Sequence, residues 1–75
     1  MGEEREVRRF GEKLRTLRTQ RGLTTRELAK ALGITNGSVS NIETGKTKPN
    51  IDLAHRVATY FGVSADDLLD DEREV

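Results

Sequence analysis

Residues 23–49 read LTTRELAKALGITNGSVSNIETGKTKP, and the middle of that run, ALGITNGSVS (31–40), decides how the chain folds. Gly33 stands where two helix-like patterns meet. The second pattern opens with Thr35, Asn36, Gly37 and Ser38, which are all poor helix formers. Upstream, Thr24-Thr25-Arg26-Glu27 has the form of a capping box, in which the Thr24 hydroxyl accepts from the Glu27 amide while Glu27 reaches back. Leu28, Ala29 and Leu32 give that helix a buried face, and Gly33 ends it early. Downstream, a third helix is expected over about residues 36–44, with Thr35 as N-cap and Gly45 as its stop. Its only large apolar residues are Val39 and Ile42, so one narrow edge is buried. Two short helices joined by a Gly-containing turn form a helix-turn-helix. A helix propped up by its neighbours leaves its exposed side free to be chosen for something other than helix stability.

Three more helices flank this pair. Val7, Phe10, Leu14 and Leu17 make a stripe closed by Gly22. GKTKPN (45–50) is a turn, and Asn50 then caps a fourth helix carrying Leu53, Ala54, Val57, Ala58 and Phe61, closed by Gly62. SADDLL (64–69) is a short helix with Ser64 capping over Asp67. The fold class is all-α, a five-helix bundle with an aliphatic core. Ala29 and Gly33 are expected to let the second and third helices approach closely. Residues 10–69 form the domain; residues 1–9 extend the first helix or make an arm, and residues 70–75 form a solvated acidic tail.

The totals exclude several classes. With 75 residues the chain holds one domain at most, and with no cysteine it has neither a disulfide framework nor a thiolate metal site. A single His55, set three residues after Asp52, reads as a surface pair, so no enzyme, cofactor or metal site is expected. No apolar run is long enough to span a membrane and the N-terminus has no signal core, which fits a cytoplasmic protein. No small-molecule ligand is evident. The zero formal net charge hides an asymmetry: residues 1–50 carry eleven Lys and Arg against six acids, while residues 51–75 carry two against seven. A basic half with an acidic tail is compatible with a nucleic-acid partner.

Opposite Val39 and Ile42, the third helix presents Asn36, Gly37, Ser40, Asn41 and Thr44. Asn matches adenine N6 and N7, Ser and Thr contact several bases, and a glycine admits close backbone approach. Thr24 and Thr25 begin the second helix, where free amides favour a phosphate. Lys46 and Lys48 lie just past the third, and Arg26 and Lys30 add charge on the second. Each has an ordinary reading as well: a cap for Thr24, loop lysines, a solvated Ser/Asn-rich helix. Together they bracket one face.

The span Phe10–Leu69, and above all LRTLRTQRGLTTRELAKALGITNGSVSNIETGKTKP (14–49), resembles the helix-turn-helix family of lambdoid phage repressors and Cro proteins, also called Xre-type. The resemblance implies a five-helix domain that binds duplex DNA, usually as a dimer on a palindromic operator. It places Thr35, Asn36, Gly37 and Asn41 at base-reading positions and Thr25 and Lys48 at phosphate-holding ones. Thr25 is therefore expected to leave base preference untouched. It also pairs Arg18 with Glu43 as a largely buried ion pair, where the residues alone would leave Arg18 on a solvated face. Gly37 departs from the polar side chain that many members carry there, which shifts weight onto DNA shape. Repressor, restriction–modification controller and antitoxin all remain open, as does a protein-binding module that keeps the fold without reading DNA. Val63, Leu68 and Leu69 are candidates for a homodimer interface; the alternative is that the two leucines fold back on Phe61 and the first helix.

Overall fold

The computed structural model describes residues 9–75, in which five helices follow one another with no strand. They are α1 (Phe10–Gln20), α2 (Thr25–Leu32), α3 (Asn36–Glu43), α4 (Ile51–Phe61) and α5 (Ala65–Leu69). The caps set their lengths. Thr24 and Glu27 close both hydrogen bonds of the capping box on α2, and Thr35 and Asn50 each accept the amide three residues on. Ser64 accepts from Asp66 rather than Asp67, a tighter cap on a helix of a single turn. Gly22, Gly33, Gly45 and Gly62 sit at positive φ where the chain leaves a helix, conformations that cost a side-chain-bearing residue about 1 kcal/mol or more.

Phe10, Leu14, Leu17, Leu28, Leu32, Val39, Ile42, Leu53, Val57, Phe61 and Leu68 make one contiguous core. Val7, expected on the first helix's stripe, lies outside the described residues. α2 and α3 pack against each other with Ala29 buried, but Gly33 is not what permits it: a β-carbon there would meet only the Arg56 guanidinium, at 3.6 Å, so Gly33 is required by its φ of +74°. The contact that needs a missing side chain lies at Gly11. A β-carbon on Gly11 would stand 2.1 Å from the Ile42 carbonyl oxygen and 3.0 Å from that of Glu43. Here α1 rests directly on the backbone at the C-terminal end of α3.

Two sequence expectations for the C-terminal end need correction. Leu68 is fully buried inside the single chain, and Val63 and Leu69 are partly buried against the same core. Burying the fifth helix's leucine satisfies the monomer, so Leu68 is not available to a partner. The tail is not merely solvated either. Asp71 accepts the Arg9 amide at 2.9 Å, capping the start of α1, and the Arg9 guanidinium bonds the Asp71 carbonyl and the Glu74 carboxylate. From the other direction Lys13, only 1% exposed, donates to the carbonyls of Asp67 and Asp70 at the end of α5. An ammonium on those carbonyls fills acceptors the helix cannot use and opposes its dipole. The two ends of the domain thus cap each other.

Replacing a helical glycine by alanine normally gains about 0.5–1 kcal/mol. Gly11→Ala is expected to do the opposite and cost about 1–3 kcal/mol, because the new methyl meets backbone that cannot move aside. Urea unfolding of the two proteins checks the sign.

Candidate nucleic-acid interface

The two helices of the motif are tied to each other and to α1 before any polar group is left over. Arg18, on α1, reaches the last turn of α3 and makes a forked pair with Glu43: Nε to Oε2 at 2.7 Å and Nη2 to Oε1 at 3.0 Å. Its Nη1 donates to the Leu23 carbonyl at 2.8 Å. The Glu43 side chain is 6% exposed and that of Arg18 14%, so the pair is nearly desolvated. Hydrogen bonding to Glu43 raises the Arg18 guanidinium above its ordinary pKa. One guanidinium therefore fixes the end of α3 and the turn into α2 at once. Arg21 lies 5.1 Å over the Phe61 ring and donates to the Phe61 carbonyl, and Arg56 donates to the Leu32 carbonyl, which ties α4 to the end of α1 and to the end of α2. Asp52 pairs with Arg56 at 3.0 Å rather than with His55.

On α3 the polar side chains divide into two groups. Thr35 and Ser38 spend their hydroxyls on each other and on the cap, and the Thr44 hydroxyl bonds back to the Ser40 carbonyl at 2.9 Å. Asn36 accepts from the Thr25 hydroxyl at 2.5 Å, across the turn between the helices. Ser40 and Asn41 are exposed, and neither side chain bonds any other described residue. Gly37 lies among them with nothing within 4 Å of the place a β-carbon would take, and its φ is ordinary. No packing in the chain itself calls for a glycine there. The exposed edge thus offers two uncommitted donor-and-acceptor side chains and a gap where the backbone lies bare.

The ends of that edge carry the other half of the chemistry. At the start of α2 the capping box satisfies Thr24 and Glu27, and the amides of Thr25 and Arg26 are left without an intrahelical acceptor. Past the far end of α3, Lys46 and Lys48 are exposed. The surface is one that an anion can approach at both ends and a patterned donor–acceptor edge can approach in the middle. Thr35, by contrast, has its side chain committed to the cap. The Thr25–Asn36 bond was not legible in the sequence, since the two lie eleven residues apart and only the turn angle brings them together. Among the described residues no group of three or more His, Asp or Glu is placed to hold a metal ion, and no helix is long and apolar enough to cross a membrane.

The family model described as helix-turn-helix matches residues 14–68. The chain is 40% identical over 63 residues to an HTH-type transcriptional regulator of Methanocaldococcus jannaschii, covering 80% of this chain and 96% of that protein. It is 38% identical over 63 residues to the HTH-type transcriptional activator BcrR of Enterococcus faecalis, covering 84% of this chain but only 31% of BcrR. Among solved structures, the P22 c2 repressor bound to a synthetic operator superposes with a TM-score of 0.76 at 28% identity, over 81% of this chain and 92% of that one. The chain belongs to the helix-turn-helix family of DNA-binding transcriptional regulators.

Arg18→Met and Glu43→Gln are each expected to destabilise by about 3–5 kcal/mol, since either strands a desolvated charge or its partner dipoles. The double variant should lose clearly less than the sum, and additive losses in the cycle would show that the two groups do not interact. Gly37→Ala, with open space and ordinary backbone, is expected to stabilise the free protein by about 0.5–1 kcal/mol in thermal or urea unfolding.

Proposed function

We propose that this chain is a sequence-specific regulator that binds a palindromic operator in duplex DNA as a dimer, with α3 in the major groove. The observation that carries the reading is the pair of uncommitted side chains, Ser40 and Asn41, beside the bare backbone of Gly37, on a helix whose other polar groups are all engaged in holding it in place. Asn41 and Ser40 would meet base edges, and Asn36 would do so in the orientation that Thr25 imposes on it. The amides at the start of α2, with Thr24 and Thr25, would hold a phosphate at one end, and Lys46 and Lys48 would hold the backbone at the other. Two recognition helices set roughly 34 Å apart would occupy successive major grooves. With Leu68 taken by the core, the partly buried Val63 and Leu69 are left for pairing, and Ile51, Tyr60 and Val75 are the large apolar side chains exposed elsewhere on the described residues.

Selection of bound duplexes from a random pool tests the reading, because it returns the preferred sequence and its symmetry together. A palindrome with half-sites one helical turn apart supports the dimer, and recovery of no common sequence sinks the proposal. A protein-binding module with the same fold would show no salt-dependent mobility shift on DNA.

Within a recovered operator, Asn41→Ala is expected to cost about 1–3 kcal/mol and to relax preference at one base pair. Lys48→Ala should weaken specific and random DNA alike and lower the salt slope by about one. Thr25→Val removes the hydroxyl that orients Asn36. It should therefore relax base preference as well as affinity, in contrast to the pure phosphate role that the sequence suggests. Competition titrations against single-base operator variants distinguish the three.

A further inference from the structure

The cations of the described residues separate into two sets. Arg9, Lys13, Arg18, Arg21, Arg56 and Arg73 each bond a carboxylate or a backbone carbonyl. The side chains of Arg15, Arg26, Lys30, Lys46 and Lys48 bond no other described residue. Four of the five stand on α2 or on the loop after α3, where they flank the proposed DNA face. Arg15 stands on α1 and belongs to no role yet assigned.

Its place on the helix is set by its neighbours. Arg15 is four residues after Gly11 and three before Arg18, so the three share one stripe of α1. Gly11 touches the carbonyls of Ile42 and Glu43, and Arg18 grips the Glu43 carboxylate. Arg15 is therefore held on the outer edge of the α1–α3 contact, beside the last turn of α3 and the approach to Lys46. The one acid in that neighbourhood on α3, Glu43, is consumed by Arg18, and Glu12, one turn back on α1, is paired with Arg9 at 2.6 Å. Among the described residues no acid pairs with the Arg15 guanidinium.

We infer that Arg15 is a further phosphate contact, reaching the DNA backbone from α1 beside the C-terminal end of α3. The inference rests on the DNA-binding reading above. A fork of N–H donors suits two oxygens of one phosphate, and an arginine already free of carboxylates gives up no ion pair when it binds. The contact would brace α3 from the side opposite the start of α2, and it would carry no base information.

The test is the dependence of affinity on salt for the whole chain, measured on its selected operator and on random duplex. Arg15→Gln is expected to lower the magnitude of the log–log slope by about 0.9 per bound subunit on both DNAs, with the ratio of the two affinities unchanged. Arg15→Lys should restore the slope. Arg73→Gln removes the same charge from the tail and should leave the slope as it was, and unfolding curves should show both variants folded. A slope that survives Arg15→Gln overturns the inference alone, as does an equal fall in Arg15→Gln and Arg73→Gln, which would mark net charge rather than contact. Absence of salt-dependent binding by the unaltered chain overturns the DNA reading and the inference with it.

Discussion

Everything on the exposed edge of α3 depends on how α1 holds that helix's last turn. With Thr35, Asn36, Gly37 and Ser38 at its start, and two large apolar residues in all, α3 has little reason to be helical alone. Gly11 lets α1 lie against its terminal carbonyls, and Arg18 clamps Glu43 from the same helix. Such a buried pair adds little net stability, because desolvation offsets most of the attraction. Its contribution is geometric, since a planar fork accepts one orientation of the carboxylate and so of the helix that carries it.

The polar groups of the motif follow a division of labour that composition conceals. Thr24, Thr35, Ser38 and Thr44 are spent on caps and back-bonds, and Thr25 is spent on orienting Asn36. That leaves Ser40, Asn41 and the bare backbone at Gly37. A helix rich in Ser, Thr and Asn is usually weak because these side chains compete with the backbone for hydrogen bonds. In this chain most of that competition is used up within the scaffold, and what remains is a small uncommitted set on one edge.

Charge is sorted in the same way. The acids of the C-terminal segment are partly answered by Arg9 and Arg73, and the end of α5 by Lys13. Arg9 holds the Glu74 carboxyl below its usual pKa, but that pair is exposed and weak against salt. The cations that keep their charge unopposed sit on the half of the chain that carries the helix-turn-helix. A formal net charge of zero thus describes two surfaces of opposite sign.

The sequence by itself determined five helices, the caps of α2, α3 and α4, the glycine stops, the core-facing residues of α2 and α4, and which helix carries the amides and hydroxyls. These are local matters: a cap, a period of 3.6 residues and a glycine at positive φ act within a few positions of each other. Contacts between residues distant in sequence were decided by tertiary structure alone. No pattern announced that Gly11 rather than Gly33 marks the closest packing, since a β-carbon's clash depends on a helix more than thirty residues away. No local pattern marks Lys13 for burial; its place is set by the carbonyls at the end of α5, more than fifty residues on. For Leu68 the sequence left a dimer interface and a fold back onto the core both open, and the bundle buries it. Thr25 and Asn36 meet only because the turn between α2 and α3 sets them side by side, and that meeting would let a residue proposed for phosphate aim one proposed for bases.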